Sequence, residues 1–170
     1  MLNPQEGTIE CWVNPYVLPA ATGRSQRIFM AYPNTGSSNN ALQLFINSDG
    51  RWRFSYGFGS GYTYLYGTTA QANIWTHLAI RWDSSGGALF VNGVKVATDT
   101  HIPSLQLDKC NIGSNNNSTE QLNGLIDDLR ISNRARTDTE IAQAYASGQP
   151  LPVDEWTTWK SSFDGHLRNE

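Results

Sequence analysis

The chain is poor in charge and nearly free of cysteine. Asp, Glu, Lys and Arg make up 16% of its 170 residues, 12 basic against 15 acidic, and no run of one sign occurs. A nucleic-acid groove needs a concentrated basic stripe, so that class of partner is set aside. No apolar run approaches the ~20 residues of a bilayer-spanning helix. Met1-Leu2-Asn3-Pro4-Gln5 has neither the basic start nor the apolar core of a secretory leader. The chain therefore reads as made in the cytosol or as an excised piece of a longer protein. Its two cysteines, Cys11 and Cys110, lack metal-site spacing. Each sits among alternating apolar residues and is expected to point inward, as a small buried hydrophobe or as half of one long-range disulfide.

Helical signal is scarce too. Fifteen glycines and seven prolines punctuate the chain, which favours an all-β reading. In Gly7-Thr8-Ile9-Glu10-Cys11-Trp12-Val13-Asn14-Pro15, the residues Ile9, Cys11 and Val13 share one face and Thr8, Glu10 and Trp12 the other, the pattern of a half-buried strand ended by proline. Further strands are expected at 26–32, 41–47, 51–56, 62–66, 74–82, 88–91, 94–97, 105–112 and 122–132. Ser48-Asp49-Gly50 reads as a three-residue hairpin turn, and Asn92-Gly93 calls for a type I′ turn, in which both central residues take positive φ. Only 136–147 reads as helix, with Ile141 and Tyr145 on one face, Asp138 and Glu140 at the start and Gly148 as the stop. About ten short strands at regular spacing give an all-β, two-sheet antiparallel β-sandwich with one short C-terminal helix. Residues 1–148 make the sandwich. Residues 149–170 make a tail that begins as an extended linker and carries Trp156, Trp159 and Phe163.

Several segments resemble laminin G-like jelly-roll domains of the concanavalin A-like lectin/glucanase superfamily, to which pentraxins are related. The opening Gly7–Pro15 segment is similar to the family's first strand, Trp75-Thr76-His77-Leu78-Ala79-Ile80 to its central tryptophan strand, and Leu89-Phe90-Val91-Asn92-Gly93-Val94-Lys95-Val96 to its Asn-Gly hairpin. Asn111-Ile112-Gly113-Ser114, Gly124-Leu125-Ile126-Asp127-Asp128-Leu129-Arg130-Ile131 and the short helix resemble its ending. The likeness covers residues 7–148. It implies the jelly-roll fold and says little of function, because lectins, glycosidases, lyases and adhesion modules share it. A strand bearing Phe-Asp-Gly usually precedes the first motif. Here Phe163-Asp164-Gly165 stands at the other end, so the tail either begins a following module or folds back on the sandwich.

The chemistry favours binding over catalysis. A glycosidase of this fold needs carboxylates at alternate strand positions sharing the concave face. Asp127 and Asp128 are adjacent, so on a regular strand they point to opposite faces. His77, His101 and His166 sit in no nucleophile setting. For sugar stacking, Tyr62, Tyr64 and Tyr66 lie on one face of a strand beside Trp52 and Phe54 on the next. One row must be core, and Trp52 with Phe54 is the expected core pair. That leaves the tyrosines, with Arg51 and Arg53, as a ligand-binding face, joined by the amides Asn115, Asn116 and Asn117. The resemblance implies a structural calcium at Asp127, held with backbone carbonyls from near the first strand, and the Asn-rich loop 113–121, with Glu120 as its one carboxylate, is a second, separate calcium candidate. The expected function is a carbohydrate-binding or adhesion module on an extracellular or virion surface, with a glycan or surface polysaccharide as partner. A structural or assembly module, as in a phage tail protein, contacting another copy or a neighbouring module through the tail, is the alternative. A glycan-degrading enzyme comes third.

Overall fold

Alternation builds two antiparallel sheets. The computed structural model describes residues 2–36, 40–59, 61–149 and 151–161. Its elements are β1 (Gly7–Pro15), α1 (Pro19–Thr22), β2 (Gln26–Tyr32), β3 (Leu42–Ile46), β4 (Arg51–Phe58), β5 (Gly61–Thr69), β6 (Thr76–Asp83), β7 (Gly86–Val91), β8 (Val94–Asp99), β9 (Lys109–Ile112), β10 (Gly124–Ser132), α2 (Asp138–Ala146) and β11 (Thr157–Ser161). One sheet runs β11-β10-β1-β6-β7-β8, the other β5-β4-β3-β2-β9. The one-turn α1 was not expected from the sequence. The last long helix starts two residues later than expected, because Thr137 takes the N-cap and closes a capping box with Glu140.

Between the sheets lie Ile9, Cys11, Val13, Leu78, Ile80, Trp82 and Leu89 from one side and Phe29, Leu42, Leu44, Trp52, Phe54, Tyr56 and Leu65 from the other. Trp52 and Phe54 are therefore core, as the pattern requires. The β7–β8 hairpin turns on Asn92 (φ 50°) and Gly93 (φ 74°). Glycine at 93 has a second reason: a Cβ there would stand 3.0 Å from the Tyr145 side chain.

Three expectations need correction. Cys110 is exposed on the edge strand β9 and only Cys11 is buried; both thiols are free. Strand β1 is buried on both faces, because α2 and residues 151–154 cover the outer side of its sheet. Ile141 packs there against Ala79, Ala88 and Phe90, while Tyr145 stacks on Trp12 at 5.8 Å. Finally, Asp127 and Asp128 do not alternate. Two residues of β10, Asp128 and Leu129, oppose the single Cys11 in a β-bulge, and Asp128 takes φ 48°. Asp127 then pairs with the outward-facing Trp12, and Asp128 Oδ2 accepts from Leu151 N at 3.3 Å, so both acids belong to the tail-covered side.

Covering that side buries Glu10. Arg130 donates to its Oε2, Arg136 Nε stands 3.7 Å from it, and His77 Nε2 lies 3.7 Å from Oε1. Burial pushes the Glu10 carboxyl above its ordinary range, while Arg130 and then Arg136 pull it back. The same arginines hold the tail: Arg130 donates to Pro152 O and Arg136 to Asp154 Oδ1, both at 2.8 Å. Thr157–Ser161 then pairs antiparallel with β10 as an edge strand. The Phe163-Asp164-Gly165 motif lies outside the described residues. The start of α2 is pinned by Asp138 to Arg81 (2.7 Å) and Lys95 (2.6 Å), and Glu140 is held by Arg134.

Arg130→Met is expected to cost about 3–5 kcal/mol, because it leaves Glu10 buried without its nearest counter-charge; urea unfolding at pH 7 measures it. A second expectation concerns acid. Arg134, with Thr137, holds the Glu140 carboxyl down at about 2 against an ordinary 4.5. A depressed carboxylate contributes stability that is present above its unfolded value and lost as pH falls through the folded one. Glu140→Gln is thus less stable than the wild type at pH 7, and thermal melts should show the gap closing between about pH 4.5 and 2.

Candidate functional site

The open surface is the outer face of the five-stranded sheet. Register places Asn111, Met30, Gln43, Ser55 and Tyr64 in one row across β9, β2, β3, β4 and β5. A neighbouring row runs Arg27, Phe45, Arg53 and Tyr66 across β2 to β5. Each of these strands gives its apolar alternates to the core, and the other residues build this face. A cavity of 250 Å³ opens on it, lined by Arg27, Met30, Gln43, Phe45, Ser55, Tyr62, Tyr64, Asn115 and Asn116. Tyr64 and Tyr66 are 48% and 44% exposed, whereas Gln43 and Ser55 are buried at the floor. Tyr62 and Tyr64 tilt toward one another with ring centroids 6.3 Å apart.

The far wall is the loop 113–123, which Asn115 organises. Its Oδ1 accepts from Thr119 N at 2.8 Å, its Nδ2 donates to Thr119 Oγ1 at 3.0 Å, and its carbonyl accepts from Asn111 Nδ2 at 2.8 Å. Asn116 Nδ2 reaches Gly36 O at 3.1 Å. Ser118 takes φ 57° to close the turn. The loop is tied to the sheet by the ion pair of Arg27 Nη2 with Glu120 Oε2 at 2.9 Å. Arg27 also lies over the Phe45 ring at 4.1 Å. Burial pulls Arg27 below its ordinary value, against the opposing pull of Glu120. On the other side of this loop a cleft of 610 Å³ is lined by Tyr16, Arg24, Gln26, Glu120, Gln121 and Asn123, among others.

The structure thus gathers Tyr62, Tyr64, Asn115 and Asn116 around one cavity. Tyr66, Arg51 and Arg53 stand beside it: Arg53 stacks on Tyr66 at 4.2 Å and pairs with Asp49 at 2.6 Å, and Arg51 Nε donates to Gly67 O at 3.0 Å. Asn117 is exposed on the loop, where its Oδ1 accepts from Thr119 Oγ1. Sequence reading missed Arg27, Gln43, Phe45 and Ser55. Gln43 and Phe45 alternate with the core residues Leu42, Leu44 and Ile46, a signal present in the sequence. Arg27 was hidden by the bulge between Arg27 and Phe29, which shifts the phase of β2.

Asp127 and Glu120 do not share a site. Glu120 is committed to Arg27, while Asp127 lies on the tail-covered side and accepts from Asp128 N at 2.7 Å, in the field of Lys160. Calcium takes six to eight oxygens. Among the described residues no group of three or more His, Cys, Asp or Glu converges. His77 is buried beneath α2, 6.0 Å from the Tyr145 ring. Among the described residues no Asp or Glu lines the tyrosine cavity.

Comparison with known proteins agrees with this architecture. A sequence model described as the concanavalin A-like lectin/glucanases superfamily matches residues 1–142. No curated protein matches. Among solved structures, a candidate carbohydrate binding protein from Bacteroides ovatus superposes with a TM-score of 0.70 at 18% identity, over 96% of this chain and 46% of its own. The heptameric SAP-like pentraxin of Limulus polyphemus gives 0.65 at 16% identity, over 96% and 81%. The CBM40 of the Ruminococcus gnavus IT-sialidase, bound to alpha2,3 sialyllactose, gives 0.65 at 14%, over 82% of each chain. The chain thus spans less than half the length of the Bacteroides ovatus protein. Identities this low speak for the fold alone.

Proposed function

This chain belongs to the concanavalin A-like lectin/glucanase superfamily, and from that premise we propose that it is a non-catalytic carbohydrate-binding module working on an extracellular or virion surface as part of a larger protein. One observation carries the reading: two tyrosines, two loop amides and the floor groups Gln43 and Ser55 converge on a single cavity of the open sheet face. Tyrosine offers a flat apolar face for a sugar ring and a polar tip for its hydroxyls, at low entropy cost. Planar amides and hydroxyls supply both donors and acceptors, which sugar hydroxyls require. Among the described residues the lining has no carboxylate, whereas hydrolysis of a glycosidic bond in this fold takes two. Related structures named for carbohydrate binding support the same reading.

A glycan array followed by titration calorimetry tests it. Tyr64→Ala should weaken the best glycan by about tenfold, the equivalent of ~1.4 kcal/mol, with no change in melting temperature, and EDTA should leave the affinity unchanged. Silence across a broad array, or full affinity in Tyr64→Ala, overturns the proposal.

The tail favours a second reading, assembly through β11. Trp159 of this edge strand is two-fifths exposed and lines a 340 Å³ cleft with Leu2, Leu107, Cys110, Ile112 and Ile131. An edge strand offers unpaired backbone groups to another chain. Light scattering of the full chain at 100 µM (roughly the range where weak interfaces populate) should show dimers that Trp159→Ala dissociates. A monomer at that concentration removes the reading.

A further inference from the structure

Resting on the glycan reading of the tyrosine cavity, we infer that the sugar unit it accepts is anionic, carrying a carboxylate or sulfate group that sits against Arg27. Among the described residues Arg27 is the only charged one that lines the cavity, and the groups around it are amides, hydroxyls, Met30 and the Phe45 ring. Glu120 engages Arg27 through Nη2 alone. Both Nε and Nη1 of Arg27 are buried and have no hydrogen-bond partner among the described residues.

A buried guanidinium with unused N–H donors is costly, because water no longer solvates it and protein has not replaced that solvation. Where such a group lies deep in a structural core, the surrounding residues supply the missing acceptors. Here it borders a cavity large enough for one sugar ring, next to Tyr64. An anion held in the cavity against Arg27 would compensate this charge, and a charge-assisted hydrogen bond is about twice as strong as a neutral one. Glu120 acts as an internal competitor. It points at the guanidinium from the loop side and lines the neighbouring cleft, not the tyrosine cavity. Its charge holds Arg27 in place and moderates the pull on a ligand anion. Neighbouring Arg53 adds positive potential along the same sheet face, partly offset by Asp49.

The test uses the full chain and matched probes: oligogalacturonate, hyaluronan and chondroitin sulfate hexasaccharides, each beside its carboxyl-reduced or desulfated form. At least one acidic probe should bind about tenfold tighter than its neutral counterpart, with the preference falling as salt rises. Carboxyl reduction and desulfation show which anion is read. Arg27→Gln should abolish the preference. Glu120→Gln, which leaves the guanidinium in place, should enlarge the preference and guards against loss of fold in Arg27→Gln. Equal binding of acidic and neutral partners, or an unchanged preference in both variants, overturns the inference. If acidic and neutral glycans bind equally and Tyr64→Ala weakens both, the glycan reading stands while this inference falls. If no glycan of either kind binds, both fall.

Discussion

Everything outside the core depends on how the six-stranded sheet is sealed on its outer side. Strand β1 places Glu10 there, in the middle of the sheet, and an ionised carboxylate at such a position is tolerated only with counter-charge and hydrogen bonds. Arg130, one strand away in register, provides them, and Arg136 from the segment leading into α2 stands close by. These arginines also donate to Pro152 and Asp154, which draws the tail across the sheet. A charge pair that must be kept dry and a chain segment that keeps it dry are therefore one arrangement. The β-bulge at Asp128 belongs to it, because it turns a second carboxylate toward the Leu151 amide on the same side.

Sealing one outer face decides where recognition can occur. The six-stranded sheet is covered by α2 and the tail, so the five-stranded sheet presents the open face. That face is built from the residues left over after alternation has committed every second side chain to the core: Gln43, Phe45, Ser55, Tyr62, Tyr64 and Tyr66. The loop 113–123 raises a wall beside it, stiffened by the Asn115 hydrogen bonds and tied down by Arg27 and Glu120. Two shallow clefts result, one on each side of that wall, and an ion pair between them joins their chemistry.

Much of this arrangement is readable in the order of residues, and the misses are instructive. The tyrosine row was visible because period-two alternation puts Tyr62, Tyr64 and Tyr66 on one face whatever else the chain does. Asn115 and Asn116 were visible as amides in a turn-rich loop, though their meeting with the tyrosines depends on how β9 pairs with β2. Arg27 was not visible as a site residue, because a bulge in β2 breaks the alternation that would have assigned its face. Cys110 and the Asp127–Asp128 pair went wrong for a related reason: edge position and bulging are properties of a strand's neighbours, and a strand read alone has none.

The linear chain by itself determined that two antiparallel layers would form, which apolar side chains they would enclose, and where the Asn92-Gly93 turn would fall. These follow from local rules, a period of two and the φ preferences of Asn and Gly, which act within a few residues. Only the tertiary structure decided that Glu10 would be buried, that the tail would lie across Arg130, and that Arg27 would share a cavity with Tyr64. Those outcomes come from contacts between segments up to 126 residues apart, as between Glu10 and Arg136. Their energy is set by what each charge loses in leaving water and regains from distant partners, and no local pattern encodes that balance.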